Sequence, residues 1–116
     1  MVKTIKEGHL GGFKADFKWS VNFPNLWTWM VKEHSVSSVI DVGCAQGHSL
    51  AYFESLGLSK DNLLGVEGSR YGVENAVIED CIVQHDYQKS GYTPNKEYDL
   101  VWCHDFLEHI KEECIQ

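Results

Sequence analysis

The chain carries four cysteines, Cys44, Cys81, Cys103 and Cys114, and no two of them stand at the C-x-x-C spacing. That absence argues against a zinc ribbon, a dithiol redox centre and an iron–sulfur site, all of which need closely spaced thiols. The cysteines read as reduced thiols. Cys44, Cys81 and Cys103 fall in or beside predicted strands, where a free cysteine acts as a small buried hydrophobe. Basic tracts are also missing: 10 Lys and Arg face 17 Asp and Glu, for a net charge of −7. A nucleic-acid surface leans on clustered Lys and Arg, so no nucleic-acid partner is expected. No apolar run approaches the ~20 residues needed to cross a bilayer. Met1-Val-Lys-Thr lacks the charged-then-apolar order of a signal peptide, so the chain reads as cytoplasmic, with no membrane partner. There are no repeats or low-complexity tracts. What remains is one domain of 116 residues with ordinary globular contents of 43% hydrophobic and 23% charged residues.

The most informative stretch is residues 36–48, VSSVIDVGCAQGH. A β-branched apolar run ends on Asp41 and opens into a turn that holds Gly43 and Gly47, with Cys44, Ala45 and Gln46 between them. A strand buried on both faces is apolar throughout. Small residues follow such a strand where a ligand approaches the main chain closely. The dinucleotide fingerprint needs a third glycine that is missing here. Ala45 stands at the middle glycine position, where any requirement for positive φ would strain it.

Three further strand ends carry candidate groups. Residues 62–69, NLLGVEGS, read as a strand ending on Glu67, with Gly68 and Ser69 behind it. An acid about 20 residues past a glycine turn is placed to accept hydrogen bonds from a ribose diol. Residues 81–86 form a short strand ending on Asp86, followed by Tyr87. Residues 98–110, YDLVWCHDFLEHI, form the fourth strand and run on through His104 and Asp105.

These four segments, in this order, resemble class I S-adenosylmethionine-dependent methyltransferases. D-x-G-x-A-x-G is similar to that family's first motif, and CHDFLEHI to its fourth motif in the group that acts on small molecules. The resemblance implies a Rossmann-like α/β three-layer sandwich with a mostly parallel sheet. The family's full strand order is 3-2-1-4-5-7-6, and this sequence supplies the first four strands, so the fold is expected to be truncated after the fourth. The implied cofactor is S-adenosyl-L-methionine, held by Asp41, Gly43, Cys44, Ala45, Gln46, Gly47, Glu67, Gly68, Ser69, Asp86, Tyr87 and His104. Asp86 would bond the adenine amino group, and Tyr87 would flank the ring. The implied reaction is methyl transfer to a small-molecule acceptor, with His104 and Asp105 as catalytic candidates. Histidine ordinarily titrates near neutrality and suits a general base; Asp105 also fits a helix N-cap. Neither the Pro-Cys nucleophile of cytosine C5 methylation nor the N-P-P-Y type signature of amino methylation is present. A nicotinamide-binding domain and a non-catalytic binding or assembly module are the competing readings. No metal is expected, because helical spacing does not bring His104 and His109 onto one face.

The alternation predicts strands near 37–43, 62–67, 81–85 and 98–103, with helices near 48–56, 70–78 and 105–115. Residues 1–34 read as an N-terminal leader and helix, and residues 35–116 as the cofactor-binding domain. In the leader helix from Asn25 to His34, Leu26, Trp29, Met30 and Glu33 mark the spacing. A sheet that stops at strand four leaves it as an edge, and self-association as a homodimer through Tyr98–His104 is expected. Gly43→Val is expected to exclude the ligand and leave the fold intact.

Overall fold

The computed structural model describes residue 21, residues 23–104, and residues 106, 107 and 110. Helix α1 spans Pro24–His34, strand β1 Val39–Val42, helix α2 His48–Ser55 and strand β2 Leu63–Glu67. Helix α3 spans Arg70–Glu74, strand β3 Ile82–Gln84 and strand β4 Leu100–Trp102. The four strands form one all-parallel sheet in the order β3-β2-β1-β4. This is the Rossmann-like α/β arrangement expected from the alternation, in the strand order the resemblance implied. Of the predicted helix over 105–115 only residues 106, 107 and 110 are described, and the first 20 residues of the leader lie outside the described residues.

Strand register explains where the core sits. Val39 pairs with Leu63 and Leu100, and Asp41 with Gly65 and Trp102. Paired residues of parallel strands point to one face, so Val39, Leu63, Leu100 and Trp102 share a face. Trp27 of α1 and Leu50 and Phe53 of α2 pack onto it, with Leu58, Ile78 and Cys81 completing the cluster. Trp27 is 1% exposed, and its ring meets those of Phe53 at 5.4 Å and Trp102 at 5.4 Å. Its Nε1 is buried, with no hydrogen-bond partner among the described residues.

Helix α1 corrects the sequence reading. Leu26 and Trp29 are exposed, Trp29 by 51%, and the buried ridge runs instead through Phe23, Trp27 and Val31. The segment is apolar at 26, 27, 29, 30 and 31, so its pattern fits more than one face. The 23–27–31 spacing of four aligns its side chains in one row against the sheet. Pro24 opens the helix, and Ser35 closes it in the left-handed region at φ 56°.

Helix α3 is shorter than the predicted 70–78. Asn75 turns its side-chain Nδ2 onto the Tyr71 carbonyl at 2.9 Å, and the Val77 N–H leaves the helix to bond the Gln46 carbonyl at 2.8 Å. The chain peels away to tuck Ile78 under the first turn. Cysteine placement differs at one site: Cys44 and Cys81 are buried as expected, whereas Cys103 is exposed. Among the described residues β4 pairs only with β1, and its Val101 is 64% exposed. No helix among the described residues is long and apolar enough to cross a membrane.

The two readings of α1 separate by experiment. Trp27→Ala is expected to destabilise the chain by about 3–5 kcal/mol, and Trp29→Ala by about 0.5 kcal/mol or less. Urea unfolding of both variants checks this. Equal losses would return α1 to the face marked by Leu26 and Trp29.

Candidate functional site

Three main-chain conformations build the turn after β1. Gly43, Ala45 and Gly47 take φ values of 79°, 53° and 85°, all left-handed. Alternation of this kind coils the backbone tightly between strand and helix. Gly47 is the last residue before α2, and a Cβ there would lie 2.8 Å from Ile82 Cδ1 and 3.0 Å from Ile78 Cγ2. Helix α2 therefore sits as close to the sheet as a bare Cα permits. Ala45 holds the position that requires positive φ, so the departure from glycine carries backbone strain of about 1–2 kcal/mol.

Glu67 closes the site from β2. Its Oε1 accepts from the Ala45 N–H at 3.0 Å, and its Oε2 from the Ser69 N–H at 3.1 Å. One buried carboxylate thus ties the β1 turn to the loop after β2. Ser69 then caps α3, its Oγ accepting from the Gly72 N–H at 3.0 Å. Gly72 is a site residue that sequence reasoning missed. A Cβ there would fall 2.8 Å from the Ala45 carbonyl oxygen and 2.9 Å from Glu67 Cγ. Gly68 holds the same loop, its carbonyl accepting from Gln84 Nε2 at 3.4 Å.

Other predicted residues serve the frame. Gln46 donates from Nε2 to the Asn75 carbonyl at 2.9 Å, anchoring the segment after α3. The Cys44 side chain is buried against the sheet; a Cβ on Gly65 would lie 2.5 Å from its Sγ. Burial, with Asp41 and Glu67 nearby, pushes the Cys44 thiol well above its ordinary range, so it is no thiolate nucleophile. Asp41 is buried too, and accepts a hydrogen bond from Ser49 Oγ at the start of α2. Burial raises its carboxyl to about 7; the Ser49 hydrogen bond opposes this, and Glu67 adds to it. Ser49 was not singled out in the sequence, since nothing there shows that α2 crosses over Asp41.

The later strand ends converge from both sides. Asp86 is half-buried, its Oδ1 accepting from the Gln88 N–H at 2.9 Å. The Tyr87 ring meets Phe106 at 5.5 Å, and Phe106 lies against Gly43, so the loop after β3 reaches the first turn through Phe106. His104 is exposed, stacked at 6.3 Å on Trp102 and met edge-on by Phe23 at 5.0 Å. Trp102 pairs with Asp41 at the last position of the β1–β4 register, and His104 follows two residues beyond it. Asp105 lies outside the described residues, as do Glu108 and His109. A side chain at Gly43 would collide with the Phe106 ring and force a left-handed residue, so Gly43→Val disturbs the fold as well as any ligand.

The family described as a methyltransferase domain matches residues 19–114, most of the chain. The chain belongs to that family: it is a methyltransferase of the Rossmann-like α/β type. No curated protein and no solved structure matches it.

Two measurements test this geometry. Ala45→Gly is expected to stabilise the chain by about 0.5–1 kcal/mol, the left-handed strain relieved less the extra entropy of glycine. An unchanged or lower urea midpoint would mean the turn carries no strain. Asp41 keeps its proton in the folded chain up to pH about 7, whereas an unfolded aspartate loses it near 3.8. The folded state therefore binds more protons between those values, and its stability falls as pH rises through them, by up to roughly 4 kcal/mol, levelling off above 7. Asp41→Asn should gain stability relative to the parent as pH rises from 4 to 7. A difference between the two that does not change with pH would contradict this.

Proposed function

We propose that this methyltransferase takes its methyl group from S-adenosyl-L-methionine and passes it to a small-molecule acceptor. The observation that carries the reading is the junction of Ala45 and Glu67. A side-chain-poor, left-handed turn faces an acid held at the next strand end, which is the layout a ribose-bearing cofactor needs. The acid suits that role chemically. A carboxylate offers about four acceptor positions, and the Ala45 and Ser69 N–H groups use two. Two stay open to a sugar diol. Main-chain groups of Gly43, Cys44, Ala45, Gln46 and Gly47 line the approach, beside Gly68 and Ser69 from the β2 loop. Asp86 would meet the adenine amino group and Tyr87 the ring face.

When bound, the cofactor supplies an electrophilic methyl on a sulfonium. The chain's own share is placement and proton handling. Direct displacement needs the acceptor atom in line with the methyl, so orientation carries most of the barrier reduction. His104 sits at the exposed end of β4, its ring held by Trp102 and Phe23, and would take the proton an acceptor hydroxyl or amine gives up. Asp105 is assigned beside it by the motif alone. The acidic balance of the chain favours a small acceptor over nucleic acid. Pairing of two copies along the open side of β4 belongs to the same proposal.

Titration calorimetry with S-adenosylhomocysteine tests the assignment. Glu67→Ala is expected to weaken binding by ~1–3 kcal/mol, the scale of a hydrogen bond to a charged group. The parent failing to bind S-adenosylhomocysteine, or Glu67→Ala binding as tightly as the parent, would overturn it. Transfer of labelled methyl groups into a metabolite extract then identifies the acceptor class.

A further inference from the structure

Phe106 stands out as a site residue without a role in the reading above. Its side chain lies against the bare Cα of Gly43: a Cβ built there would be 2.9 Å from Phe106 Cγ and 3.0 Å from Phe106 Cβ, with Cδ1 nearer still. The same ring meets Tyr87 edge to face, centroids 5.5 Å apart at an interplanar angle of 78°. Phe106 thus spans the gap between the β1 turn and the loop after β3. A planar base held between two rings needs their faces about 7 Å apart, twice a normal carbon contact. The perpendicular pair leaves no such slot.

We propose that Phe106 is a gate: its ring lies between Gly43 and Tyr87 and swings off Gly43 when the planar base of the cofactor enters beside Tyr87. The inference rests on the cofactor reading given above. The neighbourhood fits a ring that can be displaced. Tyr87 is braced independently, by His85 at 5.1 Å, so it keeps its place when Phe106 leaves. His85 is itself fixed through Nε2 at 2.9 Å from the Ser90 carbonyl. Burial and the nearby Tyr92 and Cys103 hold the Tyr87 phenol neutral well into alkaline pH, which suits a ring face exchanging one aromatic partner for another.

A ring contact of ordinary strength favours a closed form over an open one by about two- to tenfold, and the apparent affinity falls by the same factor. Stopped-flow tryptophan fluorescence with S-adenosylhomocysteine reads this directly. Phe106→Ala is expected to speed association by about two- to tenfold while dissociation changes less than twofold. Phe106→Leu keeps an apolar side chain and loses the ring pair, so it should show the same direction and covers the case in which the alanine variant does not fold. An unchanged association rate in the folded variants would overturn the gate. So would faster dissociation at constant association, which would make Phe106 a wall of the bound site. Absence of binding by the parent would instead sink the cofactor reading, and the gate with it.

Discussion

The carboxylate of Glu67 is the constraint on which the rest of the site depends. The turn after β1 is held by main-chain bonds, the Gly43 N–H to the Val66 carbonyl at 2.8 Å and the Val77 N–H to the Gln46 carbonyl at 2.8 Å, and Glu67 adds a side-chain link from it to the loop after β2. Glu67 bonds one main-chain N–H from each, Ala45 and Ser69, and does so from a buried position. At 3.0 and 3.1 Å both are hydrogen bonds of ordinary length. They matter here because the turn they restrain is strained at Ala45 and would relax if released. The same junction sets α3: Ser69, placed by Glu67, caps the helix through Gly72, and Gly72 fits only because it has no side chain to strike the Ala45 carbonyl. A single acid therefore specifies the turn, the loop and the start of a helix.

Placing that acid has a consequence for β1. Asp41 pairs in register with Gly65, and Glu67 follows two residues later on the same face. Two carboxyl groups thus share the sheet face under α2, with a glycine between them. Among the described residues no cation tempers Asp41; a Ser49 hydroxyl is its partner, and it holds a proton to about pH 7. The space over Gly65 is filled by the Cys44 thiol and Leu50. Here a soft, uncharged sulfur packs against acids that a second charged group could not approach.

How much of this was legible in the sequence differs by level. Parallel pairing followed from the alternation, because a continuous apolar run ending on a polar residue has few placements in an α/β sheet; the strand order came from the resemblance. Glu67 was readable as a site residue from its distance to the glycine turn. Its double bond to Ala45 and Ser69 was not, since that depends on how two loops meet in space. Ala45 could be flagged as strained only if its φ was positive, and the turn makes it so. The buried side of α1 was unreadable: its apolar residues at 26, 27, 29, 30 and 31 spread over more than one face, and the sheet beneath selects Trp27 over Trp29. Phe106 looked like one more apolar residue in a motif; its position over Gly43 emerges from the fold.

Topology explains why so few residues suffice. β1 lies between β2 and β4, so the chain leaves β1 toward one side and later returns to the other by way of β3. Adjacent connections that run in opposite directions part above the sheet and open a crevice at the carboxyl ends of the strands. The order β3-β2-β1-β4 brings the Asp86–Tyr87 loop, Glu67, the left-handed turn and His104 to the carboxyl ends of neighbouring strands. The helical layer reaches the same edge from below, since Phe23 at the head of α1 touches both Trp102 and His104. His104 is thereby steadied from the α1 side. An exposed histidine on a three-residue strand would otherwise sample many rotamers. Ring contacts from two elements restrict it without burying it.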